Sequence, residues 1–435
     1  MKKLHRILLA TAVMAMFLAP GWGQVTIRVV ESNQRIDPAL QGPLNTGWVD
    51  AIKGFEKANP GIKVQVIEIP STGNGSDAWT KIDIMTASGD NFDVVDLPNP
   101  VRYTKYVNAG FLAPLGPLAK DIKWDLDKDF GRFLKKYNNN VYWIPREFSP
   151  NIVYYNKKIF DDANVPYPKA DWTWADYAAT AKKLTDTKKG IWGSLFQQWE
   201  YLMYVGPQQD GVSPYKADGT SNFDNPAYAK WLQFYADLGK NKAQPDWTEM
   251  TNKKYQWDSF MSGKFGMTFV GTWHLGLFAD SKNYPRDWKF GVVTAPGASI
   301  LSSGSALGIN KNAKYPKEAM LFIKYLSDTF GKDYAQASYV ARADLTPDAL
   351  KKRFETDAKR YASDGVTAED LSLAIMNPTK GSGDEKISGP GSGGINSLFV
   401  SEGEKFLVGG QSLADTIKNL KKKSDDAIAK EKSAN

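Results

Sequence analysis

Tyr142-Trp143-Ile144-Pro145-Arg146-Glu147-Phe148-Ser149-Pro150-Asn151-Ile152-Val153-Tyr154-Tyr155-Asn156-Lys157-Lys158-Ile159-Phe160 begins as an apolar strand. It breaks at Pro145 and Pro150 around the charged pair Arg146-Glu147, then resumes as a second apolar strand over residues 152–155. Two strands with a stiff break between them read either as an ordinary proline-broken loop or as a chain crossing from one body to another. On these residues alone the loop is the simpler reading, and the flanking sequence has to decide.

Upstream, Val25, Ile27 and Val29 alternate with polar positions as a half-buried strand, while Trp48, Ile52 and Phe55 recur at helical spacing up to Asn59-Pro60-Gly61. Ile62, Val64 and Val66 predict a second strand, Trp79, Ile82 and Met85 a helix stopped at Gly89, and residues 92–97 a third strand. That order is the pattern of a parallel sheet with crossover helices. Ligands bind such sheets beyond the carboxyl ends of the strands, where Glu31, Asn33, Ser71, Asn74, Asp96 and Asn99 fall. For any single one of these side chains a turn or helix-cap role is the commoner fate.

Downstream the alternation starts again. Thr173 with Asp176 predicts a capped helix whose apolar face is Trp174, Tyr177, Ala181 and Leu184, and Asn225-Pro226 opens another along Tyr228, Trp231, Leu232, Tyr235 and Leu238. Phe265, Met267 and Phe269 alternate as a strand that ends at Gly271-Thr272-Trp273-His274, and helices follow at 319–326 and from Ser412. Residues 380–394 are rich in Gly and Ser. They contain a formal Gly-x-Gly-x-x-Gly at Gly389, Gly391 and Gly394, but no strand precedes it, so a surface loop is expected and a dinucleotide site is not.

Residues 1–23 read as a secretory signal peptide: Lys2, Lys3 and Arg6, an apolar run over 7–19, and Gly21-Trp22-Gly23 before a cut at Gln24. The run is shorter than the ~20 residues that span a bilayer. Removing the leader's three basic side chains lowers the formal charge from +7 to +4, and most of that excess sits in the six lysines from Lys418 to the C-terminus. The body is therefore near neutral, which predicts neither nucleic acid nor anionic membrane as a partner. The absence of cysteine excludes disulfides, thiolate chemistry and a lipid-modified N-terminal Cys. A periplasmic protein without stable membrane insertion is expected, with release to the medium as the second reading.

Beyond the leader His274 is the single histidine, which excludes a histidine-ligated metal cluster; no Gly-x-Ser-x-Gly elbow and no P-loop exist. His274 is expected to be a hydrogen-bonded loop residue, and no cofactor is expected. A carboxylate pair drawn from Glu147, Glu200 and Asp96 keeps glycoside hydrolysis open, since that chemistry needs only two carboxyls.

Taken in order, several pieces resemble the extracellular solute-binding proteins of carbohydrate ABC transporters, the group that includes maltose-binding protein. They are Phe55-Glu56-Lys57-Ala58-Asn59-Pro60-Gly61-Ile62-Lys63-Val64, Phe92-Asp93-Val94-Val95, Ala109-Gly110-Phe111-Leu112-Ala113-Pro114-Leu115, Ile144-Pro145 with Tyr154-Tyr155-Asn156-Lys157-Lys158-Ile159-Phe160, Trp172-Thr173-Trp174, and Phe260-Met261-Ser262-Gly263-Lys264-Phe265-Gly266-Met267 leading to Gly271-Thr272-Trp273. The resemblance covers essentially the whole chain after the leader.

It implies an α/β, two-lobe periplasmic binding protein fold, type II and clamp-like, with a multi-strand hinge. The first lobe would be 24–144 plus 270–326 and the second 151–269 plus 327–435, with crossings near 145–150, 266–270 and 327–331. It also implies a monomeric receptor that holds a sugar or polyol between the lobes, hands it to an ABC permease and catalyses nothing. A same-fold binder of a polyamine or glycerol phosphodiester is the other reading. Sugar sites of this kind combine aromatic rings, which pack on the C–H faces of a pyranose, with planar polar groups for its hydroxyls. The implied ligand residues are Trp273 first, then Tyr201 with Trp199 and Glu200, and Arg342. Asp96, Asn99, Glu147, Trp79, Ser303, Gly304, Asn396 and Glu31 complete the set. Arg146-Glu147 departs from the pattern of many relatives and is where specificity is expected to differ.

Overall fold

The structure is a computed structural model that describes residues 24–31, 47–69, 76–97, 103–137, 139–297, 300–303, 305–333, 339–340, 342–343, 347–376, 383–384, 387 and 389–433. Its strands in chain order are β1 (Val25–Glu31), β2 (Ile62–Glu68), β3 (Val94–Leu97), β4 (Trp143–Pro145), β5 (Glu147–Asn156) and β6 (Trp192–Leu195). They continue with β7 (Phe265–Gly271), β8 (Phe290–Thr294), β9 (Ile300–Ser303), β10 (Ala306–Ile309), β11 (Tyr339–Val340) and β12 (Gly383–Asp384).

Helices Gly47–Ala58 and Ser76–Ala87 separate β1, β2 and β3 along the chain, and β2 and β3 flank β1 in parallel. β10 runs antiparallel between β3 and β4, which gives the first sheet the order β2-β1-β3-β10-β4. The register sets Glu31 level with Asp96 at the carboxyl ends of β1 and β3. Ile27, Val29, Phe55, Leu307, Phe322 and Ile323 fill one core on this sheet. Burying each such side chain contributes roughly 1.5–3 kcal/mol.

The second sheet is built on β5. Residues 147–150 pair with β11 and β9, residues 151–156 pair with β7 and β8, and β6 lies parallel to β7. Pro150 does not break the strand as its sequence predicts. It stands where β5 exchanges partners, a joint where a missing N–H is tolerated. One face carries Val153, Tyr177, Trp231, Met267 and Phe269, together with Phe399, Leu420 and Ile428 from helices Ser392–Leu407 and Leu413–Ser433. The other carries Ile152, Tyr154, Phe265, Phe278 and Phe290.

The chain therefore passes from the first sheet to the second at Arg146, the one residue between β4 and β5. It returns between β9 and β10, at residues 304–305. A return near 266–270 was expected, but β7 pairs with β5 and β6 along its length, and β8 and β9 also pair with β5. Residues 270–303 thus join the second sheet. The last expected crossing, 327–331, falls inside helix Pro316–Asp333, and the chain next meets β5 through β11.

The predicted caps are present: Thr173 and Asp176 form a reciprocal capping box, and Asn225 accepts from the Ala227 N–H. Helix Ser392–Leu407 starts inside the Gly-rich stretch and contains Gly394. Its cap Gly391 has φ +76°, and a Cβ there would lie 2.9 Å from the Ile428 nitrogen. The glycine lets this turn lie against the C-terminal helix, a packing reason that needs no phosphate.

Candidate ligand-binding site

At the carboxyl end of β7 the chain turns at Gly271 into a short 3-10 helix, Thr272–His274. The Ser149 hydroxyl on β5 bonds the Thr272 hydroxyl at 3.0 Å and accepts from the Trp273 N–H at 3.1 Å. A Cβ on Gly271 would come within 2.6 Å of the Trp273 indole, so only glycine leaves room for the ring to lie over the strand end. Trp273 is consequently held in place yet remains half-buried.

β6 ends alongside, and Gln197, Trp199 and Tyr201 follow it. The Trp199 and Trp273 rings are 6.1 Å apart between centroids, and Tyr201, itself buried, lies 5.8 Å from Trp199. Two buried amides belong to the same stretches of chain. Asn151, opposite Gly271 in the β5–β7 ladder, is 1% exposed and Gln197 is 2% exposed, and no side-chain polar atom of either has a hydrogen-bond partner. A buried amide without a partner costs on the order of 1–3 kcal/mol, and each amide offers both donors and an acceptor to a hydroxyl. Neither residue stands out in the sequence, because an unpaired buried amide exists only once the strands are assembled.

The first sheet contributes a different chemistry. Arg146 and Asp96 form an ion pair at 3.3 Å with both side chains essentially buried. The Arg146 guanidinium also donates to the Ser305 hydroxyl through Nε at 3.0 Å and through Nη2, and it stacks 5.6 Å over Trp48. Its backbone N–H bonds the Ser305 carbonyl, so the two residues that carry the chain between sheets are tied together. Glu31 is fully buried at the neighbouring strand end.

Other expected residues fall elsewhere. Arg342 is engaged by Asp129 at 3.2 Å and Asp328 at 2.8 Å and stacks on Phe130. Asn396 is a core residue whose carbonyl accepts from Tyr204 and whose NH2 donates to the Ile387 and Ser392 carbonyls, so its amide is fully used within the protein. Glu200 is half-buried at the start of the turn 200–203. Trp79 lies on helix Ser76–Ala87, Glu147 opens β5 and Ser303 ends β9, but their side chains, like Asn99 and Gly304, lie outside the described residues.

His274 is not the hydrogen-bonded loop residue its setting predicts. It is fully buried among Tyr154, Phe260, Trp273 and Phe278, neither ring nitrogen has a hydrogen-bond partner, and burial holds its pKa down at about 3. Among the described residues no group of His, Cys, Asp or Glu is placed to hold a metal ion, and no helix is long and apolar enough to cross a membrane.

Two sheets exchanging strands through short crossings, with an aromatic and amide wall on one and a buried ion pair on the other, define a two-body α/β binding protein. The pattern of the family described as bacterial extracellular solute-binding protein matches residues 39–329, and the chain belongs to that family. The multiple sugar-binding protein of Streptococcus mutans is 23% identical over 380 residues, covering 82% of this chain and 79% of the relative. Among solved structures, an ABC substrate-binding protein from Listeria monocytogenes in complex with cycloalternan is 25% identical with a TM-score of 0.73, covering 93% of this chain and 99% of that one. The sugar-binding protein MalE of Xanthomonas citri shares the fold, with a TM-score of 0.70 at 19% identity over 94% of this chain and 98% of its own.

Proposed function

We propose that this protein is a periplasmic receptor that captures a sugar between two lobes and presents it to the permease of an ABC importer. The first lobe takes residues 24–145 and 306–333 and the second 147–303 and 339–433. The carrying observation is on the second sheet, where the half-buried rings of Trp199 and Trp273 meet and the adjoining stretches of chain carry the unpartnered amides of Asn151 and Gln197. Rings suit the C–H faces of a pyranose and amides its hydroxyl edge. The matches to sugar-binding relatives support the same reading. Ligand contacts made to both lobes favour the closed arrangement, which is what a permease can read. The protein works as an exported monomer cut before Gln24 and performs no chemistry on its cargo.

A thermal-shift screen over mono- and oligosaccharides and polyols tests this directly, because a ligand at 100 times its Kd adds ~2.7 kcal/mol of stability. Recovery of the sugar intact from the complex is expected, whereas cleaved product would establish the hydrolase reading. Tight binding of a polyamine or phosphodiester with no response to any neutral sugar would overturn the proposal. Trp273→Ala should weaken binding about tenfold or more while unfolding stability changes little, and unchanged affinity would remove Trp273 from the site.

A further inference from the structure

Glu431, near the end of helix Leu413–Ser433, is shared between the two bodies. One carboxylate oxygen accepts from the Gly391 N–H at 2.8 Å, within the second body, and the other accepts from the Asn108 side-chain NH2 at 2.7 Å, on the first. Asn108 closes helix Tyr103–Asn108, and the Tyr137 hydroxyl donates to its side-chain carbonyl at 3.1 Å, which leaves the NH2 facing Glu431. The long helix is fastened to its own body: Asp425 accepts from both the N–H and the hydroxyl of Ser221 at 2.8 Å, and Ile428 belongs to the second sheet's core. None of these residues lies in the links at Arg146 and 304–305 or in β11.

Both halves of the contact are carried by elements that leave the candidate site. Asn108 ends the first helix after β3, whose carboxyl end holds Asp96. Gly391 caps helix Ser392–Leu407, which is joined through Asn396 to Tyr204, just past the turn 200–203 that follows Trp199. Bodies that separate at the site must therefore break the bond.

We infer that Asn108 and Glu431 form a clasp across the mouth of the cleft, which favours the closed arrangement and sets affinity without touching cargo. This rests on the two-lobe receptor reading and adds a pair of positioning residues to it. A receptor whose binding-competent state is a fraction of its population binds with an intrinsic Kd divided by that fraction, and the clasp enlarges the fraction. Its loss weakens every cargo by one common factor, whereas a side chain in the site affects each cargo through its own contacts. The Gly-rich stretch also acquires a use, since the backbone N–H of Gly391 holds the second oxygen of Glu431.

Fluorescence titration and stopped-flow dissociation of the full chain with maltose, cellobiose, mannobiose and mannitol test the clasp. Glu431→Ala and Asn108→Ala should each raise Kd about threefold to tenfold, by the same factor for every ligand bound and through faster dissociation. The urea midpoint without ligand should stay in place, because both side chains are only half-buried. Asn108→Asp sets two carboxylates face to face and should weaken binding further, less so in high salt. Asn108→Asp/Glu431→Gln turns the donor round and should recover most of the affinity. Unchanged or tighter binding by the alanine variants, a loss that differs from ligand to ligand, or no recovery in the paired exchange overturns the clasp and leaves the receptor standing. No binding of any of the four by the unaltered chain overturns both.

Discussion

His274 carries a pH dependence that its surroundings make readable. Its imidazole is neutral in the fold, with burial among rings lowering its pKa to about 3, whereas in the unfolded chain it takes up a proton near 6.5. Between those values the unfolded state binds the extra proton, so the stabilisation is complete above about pH 6.5 and is lost as pH falls towards 3. The full effect is on the order of 5 kcal/mol. Urea unfolding at pH 7 and at pH 4 should show this drop, and His274→Phe, which keeps a ring among the rings, should reduce it. Arg146 gives a second test. Arg146→Ala removes the cation beside the buried Asp96 carboxylate and should cost about 3–5 kcal/mol, with Arg146→Ala/Asp96→Asn recovering part of the loss. At this scale the sequence is informative where a motif fixes a position: Trp273 stands just beyond β7, as Gly271-Thr272-Trp273 implies. It is silent on the unpartnered amides of Asn151 and Gln197, which exist only once the strands are assembled. Arg342 and Asn396 show the converse: the right chemical types at plausible positions, each already engaged by protein groups.

Among the elements, strands and helices follow from periodicity almost throughout, because alternation and 3.6-residue spacing report burial directly. Sheet membership does not follow. β7 has the same alternation whichever sheet it joins, and only its pairing with β5 and β6 assigns it. Pro150 was legible as a break and is instead a partner exchange, a distinction that depends on β8, β9 and β11 arriving from far along the chain. Thr173→Ala removes half of a reciprocal capping box and should destabilise the protein by about 1 kcal/mol without changing affinity, measured by denaturant midpoint and ligand titration. Gly271→Ala should do the opposite. The added methyl meets the Trp273 indole, so binding should weaken severalfold while the midpoint moves little.

Across the whole molecule, the two-body plan was legible from the repetition of strand and helix on either side of residues 142–160. Acid stability has a further determinant far from the wall. Glu402 is buried in helix Ser392–Leu407, and although burial alone would raise its pKa, hydrogen bonds from Lys405 at 2.8 Å, Lys423 at 2.5 Å and Gln411 hold it down at about 2. Its contribution is present above the unfolded carboxyl value and is lost as pH falls from about 4.3 to 2. Glu402→Gln should lower stability at neutral pH and flatten the acid limb of the stability profile below pH 4. A parallel drop in wild type and variant over that range would show that Glu402 contributes nothing to it.

The bond from Arg146 to Ser305 has a mechanical meaning. Both residues belong to the linking chains, and both are fastened to the first sheet's side through Asp96, Trp48 and each other. Bending there would have to break a buried ion pair, so Arg146 and Ser305 hold these two links to the first sheet. Backbone already fixed at these two links is backbone that cargo does not have to order, so less of the binding free energy is consumed there.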